Sequence, residues 1–209
     1  MTLVVQPTKI VCIGRNYAAH ARELGNEVPA EPLIFLKPPS ALLPPGAAIV
    51  VPHQSKRVEH EAEIGVVIGA RARDVSEQDA LSCVAGYTCV NDVTARDLQK
   101  TDGQWTRAKG FDTFCPIGPT VVAGLDYRDL EVICRVNGTV RQHGHARDMM
   151  FSIPRLVSYV SGIMTLEPGD VIATGTPEGV GPLAPGDMVE VEIPGIGLLA
   201  NPVTGKGMA

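Results

Sequence analysis

The run Glu59-His60-Glu61-Ala62-Glu63-Ile64-Gly65-Val66-Val67-Ile68-Gly69 constrains this chain more than any other segment, because it sets three carboxylates at period two on what otherwise reads as a strand. In an extended chain, side chains at i, i+2 and i+4 share one face, so Glu59, Glu61 and Glu63 stand together. Two carboxylates held about 4 Å apart repel by about 4 kcal/mol at an effective dielectric near 20, a large part of a total stability of about 5–15 kcal/mol. A fold that keeps this run must place positive charge among the carboxylates, or else leave them to water on the polar side of an edge strand.

The rest of the chain is punctuated by 17 prolines and 22 glycines, and short strands joined by many turns are the natural outcome. At 209 residues it is long enough for one large domain, 1–209, with a sizeable core. Its net charge of −5 and lack of a basic stripe argue against nucleic acid as a partner. The start, Met1 to Pro7, carries no secretory pattern, and no apolar run approaches the roughly 20 residues needed to cross a bilayer. A soluble, cytoplasmic protein without a membrane partner is expected. Cys12, Cys83, Cys89, Cys115 and Cys134 are scattered without C-x-x-C spacing, which suits reduced, buried thiols.

Strands are expected at 9–14, 32–37, 49–51 and 86–91, with a short helix from Tyr17 to Leu24 that Asn16 caps and Gly25 stops. Ser76 to Asp79 has the look of a capping box opening a helix to about Val84, and Thr94 to Asp97 reads as a second such box. Residues 101–118 show little periodicity and read as an ordered loop. Asn137-Gly138 joins strands 131–136 and 139–141 in a hairpin. A helix follows from Ser152 to about Ile163, and the tail returns to strands at 170–174 and 188–193. His143 and His145 fall in a loop after the hairpin on this reading, and a hard cation would pass them over for oxygen.

Five segments occur here in one order: Gly14 to His20, Phe35 to Pro38, the glutamate strand, Asn91-Asp92-Val93-Thr94-Ala95-Arg96-Asp97 and Thr174 to Pro177. Together they resemble the fumarylacetoacetate hydrolase family, in particular its small single-domain branch of acylpyruvate hydrolases and oxaloacetate decarboxylases. That resemblance implies an α+β, mainly β fold, a mixed β-roll or β-sandwich with peripheral short helices. It also implies a homodimer and a Mg²⁺ or Mn²⁺ ion held by Glu61, Glu63 and Asp92. Glu59 is left over as a solvated strand-end charge or a partner to the ligands.

Three carboxylates select a hard dication, which a 2-oxocarboxylate chelates well. Breaking the C–C bond next to C3 leaves a pyruvate enolate whose negative charge the ion would stabilise. The resemblance makes Lys109 a substrate-side cation, seconded by Arg15, and makes His20 and Glu23 a dyad on a mobile segment in which His20 activates water. It also places Lys37, Gln99 and Thr176 in the substrate pocket, while the capping-box reading gives Asp97 a structural role and leaves Arg96 as a neighbour that orients Asp92. The close alternative is an isomerase or decarboxylase of 2-hydroxyhepta-2,4-diene-1,7-dioate-type diacids. A reading from another class is a non-catalytic, metal-stabilised binding module.

Overall fold

The computed structural model describes residues 5–205; residues 1–4, the start of the stretch read as free of a secretory signal, and 206–209 lie outside them. In chain order the strands are β1 (Ile10–Gly14), β2 (Leu33–Lys37), β3 (Leu42–Leu43), β4 (Ile49–Val51), β5 (Val58–His60), β6 (Ala62–Ile68), β7 (Val84–Asn91) and β8 (Thr94–Ala95). They continue with β9 (Cys115–Val122), β10 (Glu131–Val136), β11 (Thr139–His145), β12 (Val171–Ala173), β13 (Gly181–Pro182), β14 (Met188–Ile193) and β15 (Gly197–Gly205). The α-helices are short: α1 (Ala18–Glu23), α2 (Arg96–Thr101), α3 (Thr106–Lys109) and α4 (Ile153–Ile163).

A mixed seven-stranded sheet runs in the order β2-β1-β12-β6-β7-β9-β3, a five-stranded sheet in the order β11-β10-β14-β15-β4, and a small sheet in the order β13-β5-β8. The large sheet is covered on both faces. Ile64, Val66 and Cys89 meet Val132, Cys134, Val189 and Val191 of the second sheet in one core, while Val67, Val90, Ile10 and Val171 build another behind it. This is why Ile64 to Ile68 is apolar without alternation. Each such side chain, fully buried, contributes about 1.5–3 kcal/mol. Gly65 is the exception in that run, since a Cβ there would lie 2.6 Å from Val90 Cγ2 on the neighbouring strand.

Several local expectations are corrected. The glutamate run is two strands, with Glu61 between β5 and β6: its backbone N–H donates to Asn91 Oδ1 at 3.0 Å, and its carbonyl accepts from Asp92 N–H at 2.8 Å. Asn16 does not cap α1. Its amide donates to the Phe151 and Thr174 carbonyls and its oxygen accepts from Phe151 N–H, so long-range partners outcompete the local cap. The helix expected from Ser76 shrinks to a 3₁₀ turn at Ala80–Cys83 because the chain enters β7 at Val84, too soon for α-helix nucleation. Thr94 lies in β8 and donates to the Asp92 carbonyl, while Asp97 accepts from Ser55 Oγ and Lys56 N–H, so no capping box forms there. The stretch read as a loop at 101–118 contains α3 and the start of β9, and His143 and His145 belong to β11.

Candidate active site

Residues of β1, β2 and β6, together with α1, α2 and α3, line a cavity of about 180 Å³. Arg15, His20, Glu61, Glu63, Arg96, Lys100 and Lys109 are its charged or titratable walls, and Phe35 and Trp105, edge to face with centroids 5.2 Å apart, close one side. Gln99 and Thr176 also line it. Asp92 lies behind it at 1% exposure, and Lys37 and Glu23 act from outside its wall.

Glu61 accepts from Arg96 Nη2 with one oxygen and from Lys109 Nζ with the other, at 2.8 Å. Asp92 accepts from Lys37 Nζ at 2.5 Å and from Lys109 Nζ at 2.7 Å. Burial pushes Glu61 up, but Lys109 and Arg96 outweigh it and hold the carboxyl well below the usual range. Burial likewise works against the Lys109 charge, yet Asp92 and Glu61 raise it above the ordinary lysine value.

Glu63 differs from both. It is buried at 1% exposure and its Oε2 accepts the Gly175 backbone N–H at 2.8 Å, with no cation against it. Burial, then Asp92 and Glu61, drive its carboxyl well above the ordinary range. The peptide reaches it because Gly175 adopts a φ of +100°, with Asn16 packed where a Cβ would be. Oxygens of Glu61, Glu63 and Asp92 lie within 4.8 Å of one another. An all-oxygen donor set holding one uncompensated buried carboxylate fits a hard dication.

The cation that the period-two glutamates called for is Arg96, which donates from Nε to Glu59 at 2.6 Å and from Nη2 to Glu61. Glu59 is therefore buried and paired, with Arg57 on its other oxygen at 2.5 Å, and the solvated alternative is set aside. Arg96 does not touch Asp92; Lys37 and Lys109 do. Sequence reasoning missed this clamp, although the repulsion among the glutamates was its signal. It also missed Gln142, whose amide donates to Thr176 Oγ1 at 2.7 Å and to the Pro177 carbonyl at 2.8 Å. Thr176 donates its own hydroxyl hydrogen to the Ala62 carbonyl, so its one donor is engaged. Gln99 accepts from Arg96 with Oε1.

His20, only 4% exposed, meets Glu23 through Nδ1 at 3.3 Å. Glu23 also accepts Gly179 N–H, at 3.1 and 3.2 Å to its two oxygens, which ties α1 to the loop after Thr176. A carboxylate trio beside a buried histidine, under a tethered flap on a two-sheet scaffold, defines a site suited to oxygen-ligated dication chemistry on small anions. Residues 9–204 match the model described as fumarylacetoacetate (FAA) hydrolase C-terminal, and the chain belongs to that family.

Relatives include a mitochondrial oxaloacetate tautomerase of Arabidopsis thaliana, 51% identical over 91% of this chain and 88% of that one. A mitochondrial oxaloacetate decarboxylase of Dictyostelium discoideum is 46% identical over 90% and 89%. Among solved structures, 2-hydroxyhepta-2,4-diene-1,7-dioate isomerase from Mycobacterium marinum superposes with a TM-score of 0.91 at 47% identity, covering 99% of this chain and 77% of the other. Fumarylpyruvate hydrolase from Pseudomonas aeruginosa, in complex with Mn²⁺ and pyruvate, gives 0.88 at 34%, covering 94% and 89%.

Proposed function

We propose that this chain is a single catalytic domain that uses Mg²⁺ or Mn²⁺, held by Glu61, Glu63 and Asp92, to cleave the C–C bond of a small 2-oxo acid through a pyruvate enolate. It would act as an acylpyruvate hydrolase, an oxaloacetate decarboxylase or both. The observation that carries this reading is Glu63, a buried carboxylate without a cation, within reach of two others at the floor of a basic cavity. When bound, the dication supplies Lewis-acid stabilisation of the negative charge that develops on the 2-oxo acid.

The remaining work belongs to side chains. Arg15 and Lys109 bring positive charge to the substrate carboxylate and the developing oxyanion. His20, oriented by Glu23, takes the proton of an attacking water in hydrolysis. In decarboxylation no water is consumed, and the tethered α1 serves to exclude it. Gln99, its oxygen engaged by Arg96, retains N–H groups for the substrate, while Lys37 and Thr176 support Asp92 and the cavity floor. A homodimer in the cytoplasm accords with the resemblance and with five buried, unpaired thiols, which suit a reducing compartment.

A second reading has the same site move a proton between C3 and the enol oxygen without breaking a C–C bond, as an isomerase or tautomerase. The names of the Arabidopsis and Mycobacterium relatives favour it. Pyruvate release from acetylpyruvate and from oxaloacetate, with Mg²⁺ and with chelator, and corrected for metal-only decay, tests the first reading. Enol-to-keto conversion without pyruvate release would replace it with the second.

A further inference from the structure

Away from the cavity, three side chains converge on the outer face of the second sheet. His143 and His145 project from β11 on the side opposite the buried Gln142, and Glu131 stands on β10 directly across from His145 in the strand register. His143 Nε2 lies 2.8 Å, and His145 Nδ1 4.0 Å, from the same oxygen, Glu131 Oε2. The two imidazole rings are 5.2 Å apart between centroids. One donor atom from each residue lies within 4.8 Å of the other two.

An ion bound tetrahedrally at about 2.0–2.1 Å keeps its ligand atoms about 3.4 Å apart. The observed separations of 2.8 and 4.0 Å bracket that spacing, so small side-chain adjustments on a fixed hairpin complete the set. A simple ion pair uses the arrangement poorly. The carboxylate oxygen satisfies one imidazole, and the second is left at 4.0 Å, beyond hydrogen-bond reach. Side-chain exposures of 51%, 31% and 30% for His143, His145 and Glu131 give an ion a path from solvent and leave room for water as further ligands.

We propose that Glu131, His143 and His145 form a second cation site, for a late first-row dication such as Zn²⁺, Ni²⁺ or Cu²⁺. Two imidazole nitrogens favour such ions over Mg²⁺, which the all-carboxylate set in the cavity suits instead. The site clips the edge strand β11 to β10. Gln142 on the inner side of β11 holds Thr176 and Pro177, so the clip stiffens the wall behind the cavity without touching it.

The test uses tag-free protein in excess Mg²⁺ with one equivalent of Cu²⁺, read by electron paramagnetic resonance. Hyperfine coupling to two nitrogens is expected in the wild type and is absent in the His143→Ala, His145→Ala double variant. Copper ligated by fewer than two nitrogens, or a two-nitrogen signal that persists in the double variant, overturns the proposal. Calorimetric titration with Zn²⁺ gives a second measure. His143→Ala alone is expected to weaken binding by at least about 10–100-fold, the loss seen when even an outer partner of a metal ligand is removed. Unchanged Zn²⁺ affinity counts against the site. Equal melting temperatures of wild type and double variant without added metal establish that the variant is folded, and if they differ the His143→Ala single variant, which should lose one of the two nitrogen couplings, decides the question.

Discussion

Glu63 concentrates the electrostatic tension of the cavity in one carboxyl. Replacing it with glutamine removes a buried group that is costly to ionise, so the metal-free Glu63→Gln protein is expected to be at least as stable as wild type near neutral pH, while Mg²⁺ affinity falls by more than about tenfold. The pH dependence follows from the raised folded pKa. The folded protein binds this proton more tightly than the unfolded chain does, so metal-free wild type loses stability as pH climbs from about 4.3 through the folded value. Urea midpoints of wild type and Glu63→Gln should therefore diverge in the variant's favour with rising pH; parallel curves would reject the assignment. Glu61→Gln acts the other way, because it leaves Arg96 and Lys109 short of a counter-charge, and a loss of about 3–5 kcal/mol is expected in the same measurement. The period-two glutamates made a nearby cation legible in the sequence. Which cation was not legible, because Arg96 reaches Glu59 and Glu61 only through the pairing of β5 with β8.

At the scale of elements, α1 is six residues long and cannot hold itself as a helix, so Glu23 and its bond to Gly179 keep it down. Two variants separate tethering from chemistry. Glu23→Ala should speed amide hydrogen exchange across α1 and lower kcat with Mg²⁺ affinity unchanged, whereas His20→Ala should lower kcat and leave exchange near wild type. A matching loss of metal affinity in His20→Ala would sink its assignment as base. Asp170 is a second tether: its carboxylate accepts from Thr8 and Lys9 before β1 and from Glu167 N–H, and burial is outweighed by these bonds, which lower its pKa. A depressed carboxyl contributes stability above its unfolded value of about 3.9 that is lost as pH falls through the folded value. Asp170→Asn should thus cost about 1.5–3 kcal/mol at pH 7, with the gap from wild type closing below about pH 3.9. The strands at 10–14, 33–37 and 188–193 were readable from local apolar runs, and α4 begins where the sequence suggests, with Ser152 accepting from Arg155 N–H at its start. Asn16 misled because its partners are remote in sequence, and Thr94 because its hydroxyl turns back to the Asp92 carbonyl two residues earlier.

For the whole molecule, a catalytic ion and a structural ion make opposite forecasts. Chelation should abolish turnover while far-UV circular dichroism keeps the β-rich spectrum, since both cores are held by apolar side chains that no ion need join. Restoring Mg²⁺ to about 100 times its Kd should add about 2.7 kcal/mol and raise Tm by roughly 5–10 °C. Unfolding on chelation would favour the binding-module reading. The sheet order was beyond local inspection: β12 inserts between β1 and β6, both of them more than a hundred residues away in sequence, and only the resemblance anticipated so mixed a sheet.

Lys109 carries one further consequence. Its ammonium bridges Glu61 and Asp92, so the chain brings a covalently attached stand-in for the mineral it is proposed to recruit. Synthesis in a magnesium-poor cell would then yield an intact, idle protein, and loading becomes a swap of one positive occupant for another that frees the lysine to greet the incoming acid.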